Sequence, residues 1–297
     1  MTFSSAFCAL VGKPNVGKST LLNRLVGQKV AITSSKPQTT RNRILGVLSG
    51  DGYQMVFIDT PGIHKPRHLL GKYMVSLATA TLTEVDVILF LVEATALPTA
   101  GDRKIAAAVT HPGTPTVLVV NKIDRCRKHE LLPVLDAYSG LGNFEAVVPV
   151  SALNGENVDR LLEVLRRRLQ PGPQFYPDGT VTDQPEAFIV AEVVREKVLQ
   201  LTEDEVPHAV AVQVEEVARR QGETVYIRAN VYVERPSQKG ILIGRGGRML
   251  KEIGRLAREE LQALLGSPIY LELWIKVVKD WRERGDRLRD FGYRRPD

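Results

Sequence analysis

The sequence predicts two domains of different class: an α/β domain with a mostly parallel sheet over residues 1–170, then a smaller α+β domain over 185–280. Three observations lead there. A complete phosphate-binding loop, Gly12 to Ser19, stands between an apolar run (Phe7 to Val11) and a segment with helical spacing (Ser19 to Leu25). Two continuous apolar runs, Val87 to Val92 and Thr116 to Val120, suit strands buried on both faces. Gln170 to Gly179 is rich in proline and glycine, and beyond it the order of elements changes. The expectation is a linker over 171–184 and a basic tail over 281–297.

In order along the chain, the strand and helix around the glycine loop come first. A polar stretch through Arg43 follows, then Ile44 to Leu48 and Gln54 to Ile58 as strands joined by the Asp51-Gly52 turn. Helices fit around Tyr73 to Glu84 and Lys104 to Val109, and a strand at 146–150 with a helix from Val158 to Leu169 completes the domain. In the second domain, 186–201 reads as helix, 208–217 and 223–234 as paired strands, 249–265 as helix, and Ile269 to Val277 as a half-exposed strand. At 297 residues, with 43% hydrophobic and 25% charged content, the chain is long enough for two separate cores. Its two cysteines, Cys8 and Cys126, have no paired spacing, so a reducing compartment and no cysteine metal site are expected. Met1 to Ala6 lacks a basic stretch before an apolar core, so no signal peptide is expected, and no apolar run reaches membrane-spanning length.

The loop Gly12-Lys13-Pro14-Asn15-Val16-Gly17-Lys18-Ser19-Thr20 has the chemistry to wrap a polyphosphate. Its glycines let backbone N–H groups converge, and the helix start adds its positive dipole end. Lys18 reaches the outer phosphates and the Ser19 hydroxyl ligates Mg²⁺. Asp59-Thr60-Pro61-Gly62 follows a strand, where a carboxylate holds Mg²⁺ and the Gly62 N–H meets the terminal phosphate. Asn121-Lys122-Ile123-Asp124 follows another strand. Asp124 there can accept from both the ring N–H and the exocyclic amine of guanine, a pattern adenine lacks. Asn121 braces the loops, Lys122 lies along the base, and the backbone of Ser151-Ala152 reads the guanine carbonyl. A second hydroxyl for Mg²⁺ comes from Thr40 in preference to Thr39. The candidate catalytic groups are Lys18, Thr40 and Gly62. The residue after Gly62 is Ile63, where Ras-like switches keep a glutamine; it cannot hydrogen-bond a water, so hydrolysis should be slow or depend on another group or a partner.

In the second domain, Ile243-Gly244-Arg245-Gly246-Gly247-Arg248 forms a Gly-x-x-Gly loop, with an apolar strand-like lead (Ile241 to Ile243) and an amphipathic helix behind. Such a loop clamps a single-stranded nucleic-acid backbone in KH domains. Residues 235–258 hold seven Lys/Arg, among them Lys239, Arg245, Arg248 and Lys251, against Glu252 alone, a net +6; residues 186–234 carry a net −5. Within a chain of formal net charge +6, this is a steering dipole rather than general basicity. The sign-alternating tail reads as a solvated helix, or alternatively as an extension of the RNA surface through Trp281 and its arginines.

Together these motifs resemble a translation-factor-class GTPase of the Era family over nearly the entire chain: a P-loop GTPase domain followed by a type II KH domain. The resemblance implies GTP and GDP binding with Mg²⁺, and slow GTP hydrolysis. It also implies binding of the single-stranded 3′ end of 16S rRNA and a role in 30S ribosomal subunit biogenesis. In related GTPases an asparagine in the phosphate loop helps hold K⁺, a role that falls to Asn15. A monomer is expected, cytoplasmic, with the peripheral association at the inner face of the cell membrane described for the family. The competing expectation is a structural RNA-binding assembly factor with a vestigial nucleotide site.

Overall fold

The computed structural model describes residues 3–110, 113–219 and 224–294. The first domain runs β1 (Ser4–Gly12), α1 (Lys18–Val26), β2 (Ile44–Gly50), β3 (Tyr53–Asp59), α2 (Leu69–Thr81), β4 (Val87–Glu93), α3 (Ala100–Val109), β5 (Thr116–Asn121), α4 (Lys128–Ser139), β6 (Ala146–Pro149), α5 (Val158–Arg166) and β7 (Gln170–Pro171). The main path of the sheet is β2-β3-β1-β4-β5-β6, with β7 antiparallel to the start of β1. Only β2 on that path is antiparallel to its neighbour. Alternation along β1 explains the layers: Cys8 and Leu10 face the core under α1 and α5, while Ala9 and Val11 face the one under α3 and α4. Parallel strands of this kind end on one rim, which is where β1, β3 and β5 deliver Gly12, Asp59 and Asn121.

The second domain runs α6 (Glu186–Leu201), α7 (Val206–Ala209), β8 (Ala211–Arg219), β9 (Val225–Val233), α8 (Pro236–Ile243), α9 (Arg248–Leu265), β10 (Ile269–Val277) and, in the tail, α10 (Gly285–Asp290). Its sheet order is β10-β9-β8, with β9 and β10 parallel. One face packs on α6, α8 and α9 through residues such as Val194, Ile227, Leu242 and Ile253.

Several sequence expectations change. Residues 241–243 are the end of α8, not a strand: Gln238 Oε1 accepts from the Arg235 N–H (3.0 Å) at the start of that helix, and Pro236 takes the first helical position. A helix at α4 is unpredicted by the sequence, because Pro133 lies inside it and Val134 and Tyr138 are its buried residues. The stretch between the domains is bound to the first: Val47 N donates to Val181 O (2.8 Å) and Thr182 Oγ1 to Leu45 O (2.6 Å). Gln54 Oε1 accepts from the N–H groups of Phe175 and Tyr176.

The tail departs most. Trp281 is fully buried and cannot extend an RNA surface. Its Nε1 donates to Ala209 O (2.8 Å), and with Leu288 and Tyr293 it packs on Leu70, Tyr73, Met74 and Leu77 of α2. Residues 295–297 of the expected tail and Glu223 of the expected second strand lie outside the described residues.

Candidate nucleotide site and RNA-binding loop

A cleft of about 470 Å³ opens at the rim where these strands end, and Asn15, Lys18, Ser19, Thr40, Gly62 and Asp124 all line it. Between β1 and α1 the backbone of the glycine loop comes close to the 121–124 loop. A Cβ on Gly17 would sit 2.2 Å from Asn121 Nδ2, and its φ of +98° is itself a glycine conformation. Asn121 is the brace expected of it: Nδ2 donates to Val16 O (2.8 Å) and Oδ1 accepts from Ala152 N (2.9 Å). Of the two backbone donors in the Ser151-Ala152 pair expected at the guanine carbonyl, Ala152 N–H is thus directed at Asn121 Oδ1, and Ser151 N–H at Glu156 O (3.0 Å). Lys122 Nζ donates to Asn15 O (2.6 Å) and pairs with Glu93. Ser151 Oγ donates to Asp124 Oδ1 (2.6 Å), which holds the Asp124 carboxylate in place.

Three oxygens gather below the loop. Ser19 Oγ donates to Asp59 Oδ2 (2.5 Å) and lies 2.8 Å from Thr40 Oγ1, which donates to the same Asp59 oxygen (3.1 Å). Asp59 Oδ1 is buried and has no hydrogen-bond partner among the described residues. A buried carboxylate oxygen left in this state, beside two hydroxyls, is a hard donor set that fits Mg²⁺. Thr39 is not part of it, because its hydroxyl donates to Lys36 O (2.7 Å). Burial raises the Asp59 pKa, against the pull of Lys18 and the two hydroxyls. Burial lowers that of Lys18 to about 8, with Asp59 opposing; its Nζ donates to Lys13 O (2.9 Å). An ammonium held this way inside a loop of backbone N–H groups is poised for an anion.

Other expected residues serve the scaffold. The Thr60 hydroxyl donates to Leu10 O (2.8 Å), Val16 and Pro61 are buried, and Lys13 reaches away to Asp102 (2.7 Å). Thr20 and Pro14 line the cleft with Gly62, while Gly12 gives its carbonyl to the Ile63 N–H (3.0 Å). The Asn15 amide Nδ2 donates to Ser35 O (2.7 Å). The sequence reading missed the loop wall formed by Ile32, Thr33, Ser34 and Gln38, and Leu153 opposite. These residues carry no periodicity or motif by which to find them.

Both neighbours of Thr40 are held by the second domain. Thr39 O accepts from Arg195 Nη2 on α6 (2.5 Å). The buried Arg41 guanidinium donates to Val210 O (2.5 Å) and Pro207 O (3.3 Å), and it lies 5.8 Å from the Trp281 ring centre. Lys29 Nζ, earlier in the same loop, bridges Glu196 (2.6 Å) and Glu260 (2.5 Å).

The Gly-x-x-Gly loop joins α8 to α9. Gly244 has φ +70°, and a Cβ there would lie 2.8 Å from Met249 Cβ. Arg245, Gly246, Arg248 and Lys251 are exposed, Ile243, Gly247 and Lys239 half-buried, so the loop presents N–H groups and cations at the start of α9. Arg255, counted in the basic run, is tied to Glu252 and Glu259 and adds less to that face.

Residues 7–122 match the family model described as 50S ribosome-binding GTPase, and residues 205–282 match the KH domain model. The structure superposes with a TM-score of 0.95 on Era in complex with MgGDPNP and nucleotides 1506–1542 of 16S ribosomal RNA; the two are 42% identical over 98% of this chain and 99% of that one. A point variant of Aquifex aeolicus Era bound to GDP·AlF4⁻ matches with the same TM-score, identity and coverage. A match of this strength through both domains settles the assignment: the chain belongs to the Era family of GTPases.

Proposed function

We propose that this protein is a GTP-driven switch that binds the single-stranded 3′ end of 16S rRNA through its KH domain and acts in 30S subunit biogenesis. The observation that carries the reading is the clasp on Thr40, whose two flanking residues are gripped by Arg195 and by the carbonyls of Pro207 and Val210. A terminal phosphate and its Mg²⁺ would draw on the Thr40 hydroxyl, Ser19 and Asp59. Any shift of Thr40 then pulls on the domain that holds the RNA loop. With Mg²⁺ bound, the site supplies charge neutralisation at the phosphates. Lys18 contributes a second positive charge, and the Gly62 N–H donates where the terminal phosphate sits. Asp124 sets the preference for guanine. The relatives solved with MgGDPNP and 16S rRNA nucleotides, and with GDP·AlF4⁻, support the nucleotide, the metal and the RNA class.

Asn15 supports a K⁺ site: its Nδ2 donates to Ser35 O (2.7 Å), so its Oδ1 would be the atom available to hold a monovalent ion, which would add positive charge beside the phosphates. Faster GTP turnover in K⁺ than in Na⁺, lost in Asn15→Ala, is the expected result; equal rates refute it. The switch is tested by affinity for an RNA copying the 3′ end of 16S rRNA, at one salt concentration, with a non-hydrolysable GTP analogue and then with GDP. Tighter binding with the analogue supports the coupled switch. Equal affinities mean that the clasp does not transmit.

A further inference from the structure

The position after Gly62 is where a Ras-like switch keeps the glutamine that orients the attacking water. Here it is Ile63, which packs with the core of Ala9, Val11 and Phe90 behind the sheet. A residue with a carboxamide lines the cleft from a different loop instead. Gln38, two residues before Thr40, lines it together with Lys18, Ser19, Thr40 and Gly62. Its Nε2 lies 3.0 Å from His64 Nε2, and His64 Nδ1 lies 2.8 Å from Gly62 O.

The direction of this short chain follows from its end. Gly62 O can only accept, so Nδ1 carries the ring hydrogen, Nε2 accepts, and the Gln38 nitrogen is the donor. The carboxamide oxygen is thereby left to accept from a water. Gln38 also has φ +64°, a left-handed conformation that side-chain-bearing residues adopt at a cost and that clusters at functional sites.

We propose that Gln38 is the water-positioning residue of this GTPase, delivered by the Thr40 loop in place of the residue after Gly62. His64 is a positioning residue that decides which end of the carboxamide faces the cleft. The inference rests on the chain hydrolysing GTP. In that step the water oxygen bonds to the γ-phosphorus as the bond to the β,γ-bridging oxygen breaks. The electron pair leaves with GDP, and the water proton passes to a phosphate oxygen; Gln38 accepts a hydrogen bond and takes no proton.

The test is single-turnover GTP hydrolysis by the full chain, beside affinities for GDP, a GTP analogue and GDP·AlF4⁻. Gln38→Gly accepts the left-handed backbone and removes only the carboxamide. It should slow turnover about 10-fold to 100-fold, weaken GDP·AlF4⁻ binding by a like factor, and leave GDP and analogue affinities unchanged. His64→Phe keeps a ring without its nitrogens and should slow turnover by less, and the double variant should be no slower than Gln38→Gly. A wild-type rate in Gln38→Gly overturns the assignment, as does a parallel loss of GDP affinity, which would mark a structural role. A wild-type chain that does not turn over GTP would instead strike at the GTPase reading itself.

Discussion

Replacing Arg41 with alanine should loosen the two domains without unfolding either. The guanidinium is 2% exposed and makes hydrogen bonds to Val210 O at 2.5 Å, Pro207 O at 3.3 Å and the Tyr293 hydroxyl at 3.3 Å. One good bond from a charged donor contributes about 1.5–3 kcal/mol, and the three longer ones, His208 O at 3.4 Å included, less. The Trp281 ring at 5.8 Å adds about 1 kcal/mol. Against this stands the desolvation that lowers the pKa of the group, and an Nε with no partner among the described residues. The net is about 3 kcal/mol, a factor of about 100 in the docking equilibrium. Native-state hydrogen exchange reads it directly: amides of α2 and of residues 285–293 should exchange about 100-fold faster, while those of β5, in the core of the first domain, keep their protection. A change below about threefold in α2 and the tail would refute the argument that Arg41 joins the Thr40 loop to the second domain.

The remaining predictions concern the two sites. Lys18 should take up a proton when nucleotide binds in mildly alkaline solution. With its pKa at about 8 in the free protein, roughly three quarters of the group is neutral at about pH 8.5, and phosphate restores its charge. Calorimetry in buffers of different ionisation enthalpy should find this uptake, and Lys18→Met should abolish it. The same depressed pKa means that the nucleotide-free fold gains stability as pH rises from about 8 towards 10.5, because there the unfolded chain holds the extra proton; thermal melts of wild type and Lys18→Met should converge at the alkaline end. Asp124→Asn should weaken GTP by about 100-fold or more and favour xanthine nucleotides, since the new amide offers a donor where guanine needs acceptors. Competition binding measures both. Gly244→Ala meets Met249 at 2.8 Å from a φ of +70°, so RNA affinity should drop about tenfold or more with GDP affinity unchanged in titrations of the full chain.

Much of the nucleotide site was legible because its chemistry is local. Gly12 to Ser19 is one loop between a strand and a helix, and Asp59 and Asn121 each end an apolar strand, so spacing alone brings them to one rim. What stayed hidden depends on contacts far along the chain. Trp281 reads as one aromatic in a charged tail, yet α2, some 200 residues earlier, buries it. Gln38 and His64 belong to no motif and meet only when two loops close on the same cleft. The strand reading of residues 241–243 failed for a different reason. Three apolar residues do not distinguish strand from helix, and the decisive signal, Pro236 with Gln238 two residues on, lay upstream.

The bound inter-domain segment gives the molecule protection against its own kind. β2 is one of the two outer strands on the main path of the first sheet, and an outer strand offers unpaired N–H and C=O groups to any other chain that can add a strand. Val181 and Thr182 occupy the groups of Val47 and Leu45 that face outward. The stretch that tethers the RNA-binding half thus also closes this rim against edge-to-edge association. A chain cut between its two halves would lose that cover along with the tether, and the freed GTPase half would be the more prone to self-association.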